Sequence, residues 1–210
     1  MADDLIFFTN PMSRGRIVRW MLEETGAPYR PELMDFATIK NPAYLAINPM
    51  GKVPAIKHGD TVVTEAAAIC AYLADAFPRA GLAPGLTDPK RGAYYRWLFF
   101  AAACVEPAAT NKSLGLEPPA DKSVMVGYGS MKDVLDTLET AVSAGPFILG
   151  EHFSAADVYV GSQIGWGTHF GTLEKRPAFD AYLGRVMGRP AAVRAREIDD
   201  ALIAQQQKQA

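Results

Sequence analysis

Every run in this sequence that reads as a β-strand lies before residue 64, and a Pro/Gly-dense stretch at residues 79–89 closes that region off. The stretch reads Arg-Ala-Gly-Leu-Ala-Pro-Gly-Leu-Thr-Asp-Pro, a composition suited to a linker. Beyond it only helical spacing follows. With 210 residues the chain is long enough for two small domains, each with a core of its own. The pattern therefore predicts an α/β domain over residues 1–83 and an all-α helical bundle over 87–205.

Within the first region, residues 5–9 (Leu-Ile-Phe-Phe-Thr) form an apolar run ended by Asn10-Pro11, as a buried strand would be. From Ser13 the pattern turns helical through Ile17, Trp20 and Met21, and Gly26 stops it. Residues 31–35 supply a second strand, and Ala43, Tyr44 and Leu45 a short helix. The runs 53–57 and 61–63 flank a turn at Gly59 and read as a hairpin. Residues 65–77 are rich in helix formers and end at Pro78. In the second region, residues 90–112 read as one long helix bent at Pro107. Met131, Val134, Leu135, Leu138 and Val142 keep helical spacing. Residues 154–170 and 177–187 are helical as well, and the tail after Ala204 is expected to fray.

The bulk properties exclude several classes. The formal net charge is −2 and no Lys/Arg block occurs, so a nucleic-acid partner has no support. The opening Met-Ala-Asp-Asp lacks the basic start of a secretory leader. No run approaches the ~20 apolar residues of a membrane span, so no membrane partner is expected. Cys70 and Cys104, the two cysteines, lie in apolar helical runs, which fits a reducing compartment and a cytoplasmic location. His58, His152 and His169 have no metal-ligand spacing, so no metal site is expected.

Three segments together narrow the reading. The first is Asn48-Pro49-Met50-Gly51-Lys52-Val53-Pro54-Ala55, followed by Glu65-Ala66. The second is Phe153-Ser154-Ala155-Ala156-Asp157, and the third pairs Arg176-Pro177-Ala178-Phe179 with Arg189-Pro190-Ala191. In this order they resemble the cytosolic glutathione transferases of bacterial type, over essentially the whole chain. The resemblance implies a thioredoxin-like N-terminal domain at 1–83 that binds glutathione, an all-α C-terminal domain at 87–205, and a homodimer. It also implies a cis bond at Val53-Pro54, which would leave the Val53 N–H and C=O free to pair with glutathione as with an added strand. A plain strand-edge proline is the competing reading of Pro54.

Glu65 and Ala66 open a helix whose N-terminus suits a carboxylate. The resemblance implies that the Ala66 N–H takes the γ-glutamyl carboxylate of glutathione and Glu65 its ammonium. Read alone, Glu65 is an ordinary first-turn acid. Family members usually carry Ser or Thr where Ala66 stands, and the missing hydroxyl costs about 1.5–3 kcal/mol of binding. Lys40 and Lys52 lie near the expected place of the glycyl carboxylate, although lysines are most often solvated surface charges. Ser154 and Asp157 form a capping box stapled by Phe153, a folding device.

The thiol-activating group of the family sits just after the first strand. Phe7 and Phe8 offer no phenol, and Asn10-Pro11-Met12-Ser13 holds no cysteine, so no protein dithiol forms. The resemblance implies a serine/asparagine-like site with Ser13 and Asn10 as candidate catalytic groups and Thr9 as a third donor. Ser13 also reads as a plain helix N-cap. Lowering a thiol pKa of about 8.5 by two units takes about 2.7 kcal/mol. One hydrogen bond to a charged acceptor supplies about 1.5–3 kcal/mol, so a single donor suffices. Phe99, Phe100, Trp166, His169 and Phe170 are candidates to line a second-substrate pocket, although residues of this kind are more often plain core. The implied activity is attack of glutathione thiolate on a small electrophilic hydrophobic substrate, as in detoxification. The alternatives are a glutathione-dependent disulfide or peroxide reductase and a non-catalytic binding protein of the same fold.

Overall fold

The computed structural model describes residues 4–116 and 118–209. Met1, Ala2 and Asp3, on which the reading of the N-terminus rests, lie outside the described residues. The chain divides into two compact units, Met1–Leu82 with Arg189–Ala210, and Ala83–Gly188.

In the first unit the elements are β1 (Leu5–Thr9), α1 (Gly15–Thr25), β2 (Arg30–Leu33), α2 (Pro42–Leu45), β3 (Ala55–His58), β4 (Thr61–Thr64) and α3 (Ala66–Ala76). The strands form one sheet in the order β2-β1-β3-β4, with β1 and β2 parallel and the other pairs antiparallel. This is the thioredoxin-like arrangement. Gly26 ends α1 in the left-handed conformation at φ 64°, a position that glycine fills without a Cβ penalty. Phe7, Ile17, Val18, Met21, Ile56, Ile69 and Leu73 are fully buried and belong to its sheet and helices. The first hairpin strand begins two residues later than expected, because Val53 and Pro54 stand outside the ladder, whereas the second begins at Thr61 as expected.

The last helix, α9 (Pro190–Gln209), also packs along α1. Arg19 and Asp199, each 1% exposed, pair at 2.7 Å, and Arg19 donates further to the Tyr29 hydroxyl at 3.1 Å. Arg189 grips both carboxylate oxygens of Glu24, at 2.7 and 2.8 Å. The helix stays regular to Gln209, past the Ala204 at which fraying was expected. Its tail is Gln-Gln-Gln-Lys-Gln, residues of good helix propensity.

Among its described residues the regular elements of the second unit are all helical, apart from one bridge, Phe147 to Gly150. It holds α4 (Lys90–Phe100), α5 (Glu106–Ser113), α6 (Met131–Ser143), α7 (Ala155–His169) and α8 (Pro177–Met187). A π-helical stretch, Ala101–Val105, joins α4 to α5. It precedes Pro107, which has no N–H to give and whose ring crowds the carbonyl four residues back. Wider winding at that carbonyl relieves both problems and lets the helix run on. Glu106 accepts from Tyr159 Oη and Gln163 Nε2, both at 3.0 Å, and so ties α5 to α7.

Asp157 is the polar centre of this unit. It is fully buried and accepts from the N–H groups of Ile148 (2.7 Å) and Ser154 (2.9 Å), and from the hydroxyls of Ser154 (3.0 Å) and Tyr182 (2.9 Å). The expected capping bond from Asp157 back to residue 154 is therefore one of four. Burial raises its carboxyl pKa, and these donors oppose the rise. Phe153 meets the edge of Phe147, with ring centres 5.5 Å apart.

Because Asp157 serves four donors, the two capping residues should behave differently. Ser154→Ala is expected to cost about 0.5–2 kcal/mol, as an ordinary cap does. Asp157→Ala strands several buried donors at about 1–3 kcal/mol each, so a loss above about 3 kcal/mol is expected. Urea unfolding of both variants checks this, and equal losses would reduce Asp157 to a simple cap.

Candidate functional site

The register of the sheet brings three segments to one end of it. Phe8 pairs with Ala55, Ala55 with Thr64, and Thr9 with Leu33. The residues that follow or precede these pairs are Asn10, Pro54, Glu65 and Met34, so all four leave the sheet at the same end. Met34 N–H donates to the Thr9 carbonyl at 2.7 Å, and Asn10 Nδ2 donates to the Met34 carbonyl at 2.8 Å.

The turn between β1 and α1 is held by its own side chains. Asn10 is buried, and its Oδ1 accepts the Met12 N–H at 2.9 Å. Ser13 donates its hydroxyl proton to the Asn10 carbonyl at 2.6 Å and accepts the Gly15 N–H at 2.9 Å. Helix α1 thus begins two residues beyond Ser13, and Ser13 caps its first N–H. Thr9 is completely buried, and its Oγ1 has no hydrogen-bond partner among the described residues. Glycine at 15 is required by this packing: a Cβ there would lie 2.0 Å from Thr9 Oγ1 and 3.0 Å from Ser13 Oγ.

The second segment crosses a cis peptide bond at Val53-Pro54. Just before it, the Lys52 carbonyl accepts both Tyr44 Oη at 2.6 Å and Asn48 Nδ2 at 2.8 Å. Burial pushes the Tyr44 phenol up to about 12, so it stays a hydrogen-bond donor throughout the neutral range. Tyr44 packs with Phe8, Ile39 and Ala55 in one buried cluster, and Val53 leans against it. Among the described residues nothing pairs with the Val53 N–H or C=O. Gly51 takes φ 59°, and a Cβ on it would meet the Lys40 stem at 3.1 Å. Lys40 therefore lies over the Gly51-Lys52 corner, and both lysines are exposed.

The third segment is strained. Glu65 adopts φ 65° and ψ 118°, the one positive φ among the described residues outside glycine. Such a conformation costs on the order of 1–3 kcal/mol and persists where surrounding structure imposes it. The Glu65 side chain is exposed and makes no capping bond. Ala66 opens α3, whose first-turn N–H groups have no partner within the helix.

The structure thus gathers Thr9, Asn10 and Ser13 with Val53, Pro54, Glu65 and Ala66 at one end of the sheet, with Lys40 and Lys52 on the adjoining corner. Sequence reasoning missed Tyr44 and Gly15. Tyr44 was legible only as a helical residue, and Gly15 carried no turn signal, because its role depends on how the turn folds Thr9, six residues earlier, against it. In the helical unit, Phe99 and Phe170 are 68% and 72% exposed, whereas Phe100 stands edge-on to Trp97. Among the described residues no group of His, Cys, Asp and Glu is arranged to hold a metal ion, and both cysteines are free. Cys70 is buried, which pushes its thiol far up and keeps it protonated. No helix of the described residues is long and apolar enough to cross a membrane.

Comparison with known proteins matches the two regions separately. Residues 12–76 fit the family model for the N-terminal domain of glutathione S-transferases, and residues 127–185 the model for their C-terminal domain. A glutathione S-transferase of Xanthomonas campestris is 30% identical over 179 residues, covering 81% of this chain and 85% of that protein. A solved glutathione transferase from Methylococcus capsulatus is 28% identical with a TM-score of 0.77, covering 94% of this chain and 99% of that one. A Sulfitobacter homologue solved with bound glutathione is also 28% identical, with a TM-score of 0.73 and coverages of 92% and 97%.

The contact at Gly15 yields a test of the turn. In an open helix position Gly→Ala gains about 1 kcal/mol from helix propensity. Here the added methyl overlaps Thr9, and overpacking costs about 1–3 kcal/mol, so Gly15→Ala is expected to destabilise the protein. Thr9→Ala in the same chain removes the obstructing hydroxyl and should recover most of the loss. Urea unfolding of the two single variants and the double variant reads this, and strictly additive losses would show that the two residues do not touch.

Proposed function

The chain belongs to the glutathione S-transferase family, and from that premise we propose that it adds the thiolate of bound glutathione to a small, electrophilic, hydrophobic substrate. The observation that carries the reading is Glu65, an exposed carboxylate without a capping role, held at a strained φ of 65° where α3 begins. In this reading Glu65 meets the γ-glutamyl ammonium and the Ala66 N–H meets the adjacent carboxylate. The cysteinyl unit lies along Val53-Pro54 as an added strand, through the Val53 N–H and C=O. Lys40 and Lys52 face the glycyl carboxylate.

Laid out so, glutathione places its sulfur toward the turn of Thr9, Asn10 and Ser13. We assign Ser13 as the donor that stabilises the thiolate, at the N-terminus of α1, where the helix also favours negative charge. Asn10 already gives an amide N–H to Met34, so it serves chiefly to hold the turn. The thiolate then attacks an electrophilic carbon of the second substrate. The sulfur lone pair forms the new C–S bond, and the electrons displaced leave with a departing group or take up a proton from water. Proximity and thiolate stabilisation supply the catalysis. The proposal includes the division at 83–87 into a glutathione-binding and a helical domain, a homodimeric state, and a reducing cytoplasmic setting suited to the two free cysteines.

The binding half is tested by calorimetry with glutathione. Glu65→Ala should weaken the dissociation constant at least tenfold, on the order of 1.4 kcal/mol, since it leaves the ammonium without a partner. An unchanged constant removes Glu65 from the site. Ala66→Ser restores a hydroxyl to the carboxylate and should tighten binding. No gain would mean that other groups already satisfy that carboxylate.

A further inference from the structure

We propose that Thr9 is a positioning residue for Ser13: its buried hydroxyl donates to Ser13 Oγ when Ser13 turns its own proton toward the glutathione sulfur. The inference rests on the reading of Ser13 as the thiolate donor.

The argument begins with an account of hydroxyl capacity. A serine hydroxyl has one proton and two lone pairs. In the structure the Ser13 proton goes to the Asn10 carbonyl at 2.6 Å, and one lone pair takes the Gly15 N–H at 2.9 Å. The second lone pair has no donor among the described residues. Thr9 Oγ1 is sealed from solvent and has no partner among the described residues, a state that buried polar groups rarely keep. A single point, the missing Cβ of Gly15, lies 2.0 Å from Thr9 Oγ1 and 3.0 Å from Ser13 Oγ. The two hydroxyls therefore face the same small space, one with a proton to give and the other with a lone pair to fill.

The exchange leaves no group stranded. When the Ser13 proton swings to the sulfur, the Asn10 carbonyl keeps the Ser13 backbone N–H, at 3.1 Å. Ser13 Oγ keeps the Gly15 N–H and accepts a hydrogen bond from the Thr9 hydroxyl, which polarises its O–H toward the thiolate, as in a hydrogen-bond chain. No proton changes owner and no covalent bond forms or breaks. Any side chain at position 15 would occupy the place of the Thr9 hydroxyl, so glycine there is part of the device.

The test is a double-mutant cycle on the pKa of bound glutathione, titrated by thiolate absorbance in the parent protein, Thr9→Val, Ser13→Ala and the double variant. Ser13→Ala is expected to raise the pKa by about one unit or more, and Thr9→Val by about half a unit or more. Thr9→Ser should restore the parent value. In the Ser13→Ala background Thr9→Val should add nothing, because Thr9 acts through Ser13. If Thr9→Val folds poorly, comparing Thr9→Ser with Thr9→Ala asks the same question. A shift with Ser13→Ala but none on loss of the Thr9 hydroxyl overturns the positioning role and leaves the proposed function standing. A Thr9 shift that persists without Ser13 overturns it too, and makes Thr9 a direct donor. If Ser13→Ala itself moves nothing, the assignment of Ser13 falls and the Thr9 role with it. If calorimetry finds no glutathione binding by the parent protein, the functional reading itself fails.

Discussion

The arrangement at the candidate site depends on one constraint, the antiparallel register that sets Phe8 against Ala55 and Ala55 against Thr64. A slip of one residue in either pair would turn every side chain of a strand to the opposite face. It would also draw Pro54 or Glu65 into the ladder and away from the end of the sheet. The register is pinned from below, since Phe8, Tyr44, Ile39 and Ala55 share one buried cluster. Tyr44 then reaches up from that cluster to the Lys52 carbonyl, so the packing that fixes the strands also fixes the backbone leading into Val53-Pro54. Core and site are mechanically the same object here.

Two buried charges show how differently such groups are handled in the two units. Asp157 is surrounded by four donors, with no cation paired to it among the described residues, so its burial is offset by hydrogen bonds. Asp199 is matched instead with Arg19, which also lies over the Phe7 ring at 5.3 Å. A buried ion pair of this kind gains little over an apolar contact, because both partners lose water. Its consequence is specificity: a register shift of α9 along α1 would leave two charges buried and unmatched. The exposed pairs around it, such as Arg16 with Asp200 at 2.6 Å, contribute at most about 1 kcal/mol each.

Much of the fold was legible because it is written in short-range patterns. The apolar run at Leu5–Thr9, the Gly26 stop and the helix spacing of Val134, Leu135 and Leu138 each rest on neighbours within a turn or two. The motif around Val53-Pro54 was legible as a resemblance, and so were Glu65 and Ala66. What stayed hidden depends on how neighbouring elements meet in three dimensions, which no pattern of residue types records. Nothing local distinguishes the φ of Glu65, since a glutamate ordinarily opens a helix from the extended region and only the β4–α3 junction forces it otherwise. The π-helical stretch was read simply as a bend at Pro107, because a sequence marks the proline but not how the preceding turn gives way. Gly15 looked like an ordinary small residue, and only the arrival of Thr9 beneath it shows why a Cβ is excluded.

The hydrogen bonds of the turn also change the energetics of thiol activation. From sequence, one charged hydrogen bond seemed enough to lower the thiol pKa by two units, which takes about 2.7 kcal/mol. In the structure the Ser13 proton is already engaged with the Asn10 carbonyl. Redirecting it gains a bond to charge of about 1.5–3 kcal/mol and gives up a neutral one of about 0.5–1.5 kcal/mol. The central values differ by about 1.3 kcal/mol, which amounts to roughly one unit. The helix N-terminus adds about 0.3–1 kcal/mol, which brings the total to about 1.6–2.3 kcal/mol, short of the second unit. Under the proposed reading Ser13 therefore does not act alone, and the remainder must come from groups that strengthen its O–H or face the sulfur beside it. The turn offers few of these, and the one with a proton, full burial and no engagement elsewhere among the described residues is Thr9.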